Sequence, residues 1–120
     1  MADHNILGQT GEDMAVRHIK GMGYQILERN WRYGREEIDI IAKDGDMLVI
    51  IEVKSRTTTR YGEPEFFVTA AKRRILIRAA EAYILKNDLD IETRFDIISV
   101  VITPDKKTVH HIEDAFYPTL

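Results

Sequence analysis

The sequence predicts an α/β fold in which helices flank a mixed β-sheet. Three apolar segments between residues 24 and 54 are joined by short turns, which predicts an antiparallel meander. A long amphipathic segment then leads to a fourth strand, and a crossover of this length predicts parallel pairing with a right-handed connection. The predicted order is α-β-β-β-α-β with an appended strand, in one domain spanning residues 1–120.

The first predicted helix runs from Gly8 to Met22. Its apolar face consists of residues at helical spacing, namely Ala15, Val16, Ile19 and Met22. Thr10 is the predicted N-cap, and the glycines at positions 21 and 23 end the helix.

The next three elements are predicted strands separated by turn residues. An extended segment from Tyr24 to Tyr33 ends at a turn around Gly34, and a second strand follows from Glu37 to Lys43. Asp44-Gly45-Asp46 is typical of a hairpin turn. Met47 to Lys54 is nearly continuously apolar, which indicates a central strand.

The second half of the chain supplies the crossover and the last strands. Ser55 to Pro64 is predicted to be a loop, and Thr69 caps a helix from Ala70 to about Asn87. The predicted apolar stripe of this helix is Ala71, Ile75, Ala79, Ala82 and Tyr83. Thr93 to Ile102 is a strong strand pattern, and Thr108 to Ile112 a shorter strand at the edge of the sheet.

Composition excludes several classes of protein. The chain has no cysteine, which excludes disulfides, zinc–thiolate sites and cysteine nucleophiles. No apolar run approaches the ~18 residues that span a membrane, and Met1 to Gly11 lacks the pattern of a secretory signal, so we expect a cytoplasmic protein without a membrane partner. The net charge is −3, but Lys54 to Arg78 carries +5 against −8 elsewhere, which fits a local surface for an anionic ligand and equally a solvated loop and helix face.

Charged residues inside apolar strands are the strongest functional signal. Asp39 is flanked by isoleucines, and Glu52 and Lys54 lie within the central strand pattern. Burying ionised groups without partners is costly, so such residues usually serve a site. Glu52 and Lys54 share one face of their strand, and the hairpin brings Asp39 next to Glu52 if the register places both on that face.

This arrangement predicts a metal site that cleaves phosphodiesters. Two neighbouring carboxylates repel unless a cation or proton lies between them, and oxygen ligands suit Mg²⁺ or Mn²⁺. Such an ion would lower the pKa of a bound water and stabilise charge on a phosphate. Lys54 would orient the water or neutralise developing charge. A partly exposed salt-bridge network of Asp39, Glu52 and Lys54 remains the structural alternative.

Glu12 is predicted to be the third acidic residue of the metal site. It lies at the end of the apolar stripe of the first helix, between Gly8 and Gly11, whose missing side chains would allow close backbone approach. The alternative is a first-turn glutamate that complements the helix dipole. Arg56 and Arg60 after the central strand, and Lys72, Arg73 and Arg74 at the start of the second helix, are candidate phosphate contacts. For each of these arginines a solvated surface charge is the alternative, and the more common one.

The motifs also occur in an order typical of a known family. They are Gly8-x-x-Gly11-Glu12, Gly23-Tyr24-x-Ile26-Leu27-x-Arg29-Asn30-Trp31-Arg32, Glu37-Ile38-Asp39-Ile40-Ile41-Ala42, Val49-Ile50-Ile51-Glu52-Val53-Lys54-x-Arg56, Arg94-Phe95-Asp96 and His111-Ile112-x-x-Ala115-Phe116. Together they span nearly the whole chain and resemble the YraN-like family.

The resemblance implies a restriction-endonuclease-like three-layer core, similar to archaeal Holliday-junction resolvases. It implies metal-dependent cleavage of DNA, with branched or free-ended substrates and a homodimer as further expectations. The superfamily's catalytic roles would fall on Asp39, Glu52, Lys54 and Glu12, with Mg²⁺ or Mn²⁺ held by the three acids. It also favours Lys72 as a substrate contact.

One residue departs from the family pattern. Glu36 stands where the family usually has glycine before Glu37-Ile38-Asp39, which adds negative charge and a less permissive backbone at the start of the strand. Whether Glu37 contacts the metal stays open. A non-catalytic nucleic-acid-binding or recruitment module is the alternative function, and a structural partner-binding domain is a weaker one.

Overall fold

The computed structural model describes residues 2–57 and 66–118, with side chains from residue 7 onward. Its elements are α1 (Ala2–Gly21), β1 (Gln25–Tyr33), β2 (Glu36–Asp44), β3 (Met47–Arg56), α2 (Ala70–Lys86), β4 (Glu92–Ile102) and β5 (Lys107–Phe116). The greater part of the predicted loop, including Arg60, lies outside the described residues.

The five strands form one mixed sheet in the order β1-β2-β3-β4-β5. β1, β2 and β3 pair antiparallel, β3 and β4 pair parallel across the α2 crossover, and β5 returns antiparallel to β4. The two turns that join β1, β2 and β3 each contain a glycine with positive φ, 62° at Gly34 and 60° at Gly45, the conformation that favours glycine. The predicted mixed sheet, element order and edge position of β5 are confirmed.

The two helices cover opposite faces of the sheet, which gives a three-layer structure. On the α1 face, Ala15 and Ile19 pack against Ile40, Ile51 and other residues of the central strands. A separate cluster packs the other face against α2, with these members among its buried residues: Ile38, Leu48, Ile50, Leu76, Tyr83, Phe95 and Phe116. Burial on both faces explains why β3 reads as a continuous apolar run.

The first helix begins earlier than the sequence predicted. It starts at Ala2 and continues through Thr10, so the predicted N-cap at Thr10 is wrong. A local capping residue is a weak signal that tertiary packing overrides. The prediction for Met22 was also wrong, because the helix ends at Gly21 and Met22 is 45% exposed in the turn that follows.

The second helix is capped by Thr69 as predicted, and its side chain accepts a hydrogen bond from the backbone N–H of Lys72. Its buried residues, however, are Leu76, Ala79, Ala80 and Tyr83. The predicted stripe is therefore confirmed at Ala79 and Tyr83, which are buried. It is wrong at Ala71, which is exposed, and at Ile75 and Ala82, which are only half-buried. Apolar residues occupy two sides of this helix, and the side with the bulky Leu76 faces the sheet.

β3 and β5 extend beyond their predicted C-terminal ends by two and four residues. Ser55 and Arg56, expected in a loop, extend β3 because they pair with Val100 and Val101 of β4. The last strand extends to Phe116, whose ring stacks on Phe95 at 5.0 Å between centroids. Within the described ranges, neither helix is long and apolar enough to cross a membrane.

Candidate active site

The candidate site begins where β2 and β3 stop pairing. Their register runs from Asp44 opposite Met47 to Ile40 opposite Ile51. Extending that register by one residue places Asp39 opposite Glu52, on the same face, as the sequence predicted. At this point the Oδ2 of Asp39 accepts a hydrogen bond from the backbone N–H of Val53 at 2.8 Å. A side chain of β2 thus takes the place of its backbone as the acceptor for β3.

The electrostatic environment of Asp39 disfavours its charged form. Burial is the largest cause and, with the neighbouring carboxylates of Glu52 and Glu12, raises the pKa of Asp39 to about 8. The hydrogen bond from Val53 acts in the opposite direction. A carboxyl group surrounded by other carboxyl groups, with a pKa well above its usual range, is a feature of cation and catalytic sites.

Helix α1 approaches this end of the sheet through Gly11. A Cβ atom at Gly11 would lie 1.8 Å from the Oγ of Ser55 and 2.9 Å from its Cβ, so only glycine fits. The close approach predicted for Gly11 is confirmed. The same prediction for Gly8 is wrong, because nothing lies within 4 Å of a Cβ there. Gly11 therefore sets the position of the next residue, Glu12, against the sheet.

Three carboxylates converge at this point. Glu12, Glu37 and Asp39 each offer one oxygen, and these oxygens all lie within 4.8 Å of one another. Glu37 and Asp39 are two residues apart on β2, whereas Glu12 comes from α1. The side chain of Asn30 joins the group: its Nδ2 donates to both carboxylate oxygens of Glu12, at 3.0 and 3.1 Å, and to Oε1 of Glu37 at 3.0 Å.

The backbone of Asn30 is adapted to this position. It has φ of 53°, in the left-handed region that asparagine tolerates better than most residues. The amide nitrogen therefore lies among carboxylate oxygens, where a donor or a cation is required. We conclude that Asn30 supplies the protein's own donor to the acidic group.

The Glu52 and Lys54 side chains face the α2 side of the site. Glu52 lies 4.0 Å from the Nζ of Lys72 and is outside the group of three converging oxygens, although it raises the pKa of Asp39. Lys54 donates through Nζ to the backbone carbonyl of Phe67, and the same atom lies 5.8 Å from the Phe67 ring centroid. Lys54 and Lys72 thus connect the carboxylates of the sheet to the start of α2.

Arginines lie at the outer rim of the acidic group. Arg29 contacts Asp13 at 2.8 Å and Glu12 at 3.7 Å, and Arg32 lies 3.7 Å from Glu37. Both arginine side chains are substantially exposed, so they compensate the negative charge only weakly. The centre of the group keeps an excess of negative charge.

Comparison with known proteins assigns the chain to a family. A sequence model of the "Uncharacterised protein family UPF0102" matches residues 11–100. The chain belongs to the UPF0102 family. A UPF0102 protein of Flavobacterium psychrophilum is 48% identical over 98% of both chains, and one of Phocaeicola vulgatus is 44% identical over 100% of this chain and 99% of its own. A third, from Christiangramia forsetii, is 43% identical over 98% of both chains.

These full-length matches agree with the resemblance to YraN-like proteins that the ordered motifs indicated. They show a family whose description states no activity. The chemistry of this UPF0102 chain must therefore be argued from the site itself.

The structure brings together most, but not all, of the residues singled out in the sequence. Asp39 and Glu12 belong to the group of converging carboxylates, whereas Glu52 lies outside that group but close enough to raise the pKa of Asp39. Lys54 lies on the same strand face as Glu52, and Lys72 approaches Glu52 from α2. Arg56 ends β3 as a half-buried residue with contacts of its own, two positions beyond Lys54.

Three contributors were not assigned from the sequence. The sequence left open whether Glu37 contacts the metal, although its spacing of two residues from Asp39 indicated that both side chains share one face of β2. Asn30 carried no recognisable signal, because an asparagine in a strand normally indicates a turn or bulge. Ser99 on β4 pairs with Lys54 and has a fully buried hydroxyl with no hydrogen-bond partner among the described residues.

Proposed function

We propose that this UPF0102 protein is a metal-dependent nuclease that cleaves phosphodiester bonds in DNA. The observation that carries the proposal is the convergence of the carboxylates of Glu12, Glu37 and Asp39 from α1 and β2. Glu52 of β3 lies close enough to raise the pKa of Asp39, together with burial and Glu12. Without a bound cation, repulsion between these carboxylates lowers the stability of the fold. The lysines of β3 and α2 border the same point.

The donor set fits a hard divalent cation. It consists of carboxylate oxygens from two strands and a helix, without nitrogen or sulfur ligands, which suits Mg²⁺ or Mn²⁺. Asp39, Glu12 and Glu52 are the proposed ligands, and the geometry adds Glu37. When bound, the ion would lower the pKa of a coordinated water and stabilise charge on the scissile phosphate.

The chain's own residues would then position and neutralise the reacting groups. The Lys54 ammonium, on the strand face of Glu52, would donate to the attacking water or to the phosphate oxygen on which charge develops. Lys72 lies beside Glu52 and would neutralise a neighbouring phosphate, and Arg56 lies two residues beyond Lys54 for the same purpose. Asn30 would hold Glu12 and Glu37 in place.

Cleavage assays test this proposal directly. Purified protein would be incubated with Mg²⁺ or Mn²⁺ and labelled duplex, flap or four-way-junction DNA. We expect Asp39→Ala and Lys54→Ala each to lower the rate by about 100-fold or more. The matched controls Asp90→Ala and Lys86→Ala remove exposed charges of the same sign and should keep the rate. Cleavage that persists unchanged in Asp39→Ala and Lys54→Ala would show the assignment to be wrong.

A homodimer is part of the proposal for branched DNA. Paired cuts in a four-way junction need two active sites related by a two-fold axis. Sedimentation of the protein with and without a junction would measure this, and a monomer in both conditions would limit the proposal to free-ended or flap substrates.

One observation favours the alternative, a non-catalytic nucleic-acid-binding module. The Lys54 ammonium donates to the Phe67 carbonyl, so the protein itself already engages the proposed catalytic lysine. Salt-dependent DNA binding without cleavage, across both metals and all three substrates, would support this alternative.

A further inference from the structure

A groove lies beside the candidate site, between α2 and the end of β5. Its volume is about 600 Å³. Its most informative lining residues are Arg73, Arg74, Ile77, Arg78, Phe116 and Tyr117. The α2 members recur at spacings of three and four residues, so they form one side of the helix.

The groove is strongly basic in an acidic protein. The guanidinium groups of Arg73, Arg74 and Arg78 form no ion pair or hydrogen bond with any residue in 2–57 or 66–118, and among the described lining residues Glu81 is the one carboxylate. Arginines elsewhere, such as Arg94, are bound to carboxylates at about 3 Å. Three uncompensated guanidinium groups on one helix side form a local positive potential that attracts a polyanion.

The groove also presents an aromatic surface. Tyr117 is 66% exposed at one wall, next to the buried Phe116. Exposed rings beside arginines are the combination used by proteins that bind single-stranded nucleic acids, where bases stack on rings and phosphates contact cations. A duplex offers phosphates but keeps the faces of its bases stacked inside, so it would offer the Tyr117 ring no base to stack on.

The groove begins at the first turn of α2, which also carries Lys72 on another side of the helix. Lys72, which lies 4.0 Å from Glu52, is next in sequence to Arg73. The carbonyl of Phe67, which accepts from Lys54, is three residues from Ala70 at the end of the groove. From Ala70 to Glu81 the helix extends about 16 Å, so a strand could pass from the site along this side of α2.

We propose that this groove binds a single-stranded segment of nucleic acid, with Arg73, Arg74 and Arg78 contacting phosphates and Tyr117 stacking on a base. The proposal deepens the proposed function and rests on it, because the bound segment is the strand that continues from the cleavage site. The groove would therefore select the class of substrate, since DNA with an unpaired arm or end would bind more tightly than blunt duplex.

Binding without cleavage tests the groove. A fluorescent thymidine oligonucleotide of about 16 nucleotides, the upper range of single-strand sites, would be titrated by anisotropy in EDTA at several salt concentrations. The triple variant Arg73→Gln, Arg74→Gln, Arg78→Gln should bind at least tenfold more weakly. Its salt slope should fall by about 2, since each lost phosphate contact removes about 0.7. The control Arg17→Gln, Lys20→Gln, Lys107→Gln removes the same charge from exposed positions outside the groove and should match wild type.

The aromatic contact has its own test. Tyr117→Ala should weaken binding roughly 5- to 100-fold, whereas Tyr117→Phe keeps the ring and should bind like wild type. Blunt duplex should compete less well than the oligonucleotide. The proposed role of the groove would be wrong if duplex or poly-glutamate competed as well as the oligonucleotide. It would also be wrong if the two triple variants lost affinity equally.

These outcomes are separable from those of the proposed nuclease. If wild type binds through the groove but does not cleave any substrate with Mg²⁺ or Mn²⁺, the groove stands and the catalytic proposal fails. If wild type cleaves and Lys54→Ala does not, while both triple variants bind alike, catalysis stands and the groove is overturned. Absence of oligonucleotide binding by wild type overturns the groove outright.

Discussion

Two aspartates in the central sheet look alike in sequence and differ in everything that surrounds them. Asp39 on β2 and Asp96 on β4 are each flanked by large apolar residues, and both are buried to a large degree. Asp96 is enclosed by donors: Arg94 contacts both of its oxygens at 2.9 and 3.0 Å, His111 lies at 2.7 Å and the N–H of Asp114 at 2.9 Å. Asp39 accepts one backbone hydrogen bond and otherwise faces carboxylates.

The pKa values of the two groups move in opposite directions. Burial raises the pKa of both, but hydrogen bonds from His111 and Arg94 outweigh it at Asp96 and hold its pKa below the usual range. At Asp39 burial and neighbouring carboxylates act together and raise the pKa. A charge inside an apolar strand therefore does not by itself indicate a site. The sign of its neighbours separates a structural charge from a functional one.

The largest expected effect is on the stability contributed by Asp96. Asp96→Asn removes the fully buried carboxylate that pairs with Arg94, whose side chain is 13% exposed, and leaves the more exposed Asp44 and Glu113 as its carboxylate partners. Breaking such a pair costs about 3–5 kcal/mol. Urea denaturation at pH 7 would measure the loss in the free energy of unfolding. A loss below about 1 kcal/mol would contradict the structural role assigned to this aspartate.

The sequence was sufficient for the fold because its signals were local and mutually consistent. The hairpin residues around Gly45, the run through β3 and the long crossover together fixed pairing and strand order. The sequence-based prediction failed at two points that local signals do not decide. These are which of the two apolar sides of α2 faces the sheet, and where α1 begins. Helical periodicity admits both sides, and only the sheet selects Leu76 over Ile75.

Asp39→Asn should raise the free energy of unfolding, whereas Asp96→Asn should lower it. Asp39→Asn keeps an acceptor for the Val53 N–H and gains a donor toward Glu52, so it removes repulsion without losing packing. We expect metal-free protein at pH 8 to gain roughly 1–3 kcal/mol in its free energy of unfolding. Thermal and urea unfolding, with Asp96→Asn as the matched control, would measure it.

The difference in stability between wild type and Asp39→Asn should depend on pH. Because the folded pKa of Asp39 is raised to about 8 from an ordinary 3.8, its contribution favours folding at low pH and is lost as pH rises through the folded value. Wild type should therefore lose stability relative to Asp39→Asn between about pH 4 and pH 8. A difference between the two proteins that does not vary with pH would contradict the raised pKa.

The affinity for a divalent cation should depend on the protonation of Asp39. A ligand carboxylate must be deprotonated before it binds metal, so a divalent cation competes with the proton held by Asp39. We expect Mn²⁺ affinity, measured by calorimetry, to rise about tenfold per pH unit between pH 6 and pH 8. Asp39→Asn should bind weakly at every pH, and Asp96→Asn, if folded, should follow wild type. An affinity independent of pH would place the cation away from Asp39.

The sequence identified the acids of the site more readily than the neutral residues that organise them. Asp39, Glu52 and Lys54 stand out because their charge conflicts with their surroundings. Asn30 creates no such conflict, and His18, whose Nε2 lies 3.2 Å from Nδ1 of His111, reads as an ordinary helix residue. Their partners are distant in the chain, so only the fold shows which polar groups meet.

The smallest expected effect concerns Asn30, the protein's own donor within the acidic group. Asn30→Gly removes the amide and suits the positive φ, so the two effects partly offset each other and the loss in metal-free protein should be under about 1 kcal/mol. Asp88→Gly is the matched control, since Asp88 also has positive φ, 51°, but lies beyond the end of α2. Saturating Mn²⁺ should make Asn30→Gly as stable as wild type, because a cation is a stronger partner for Glu12 and Glu37 than an amide. If the loss persists unchanged at saturating Mn²⁺, Asn30 belongs with the structural contacts of Asp96 rather than with the site around Asp39.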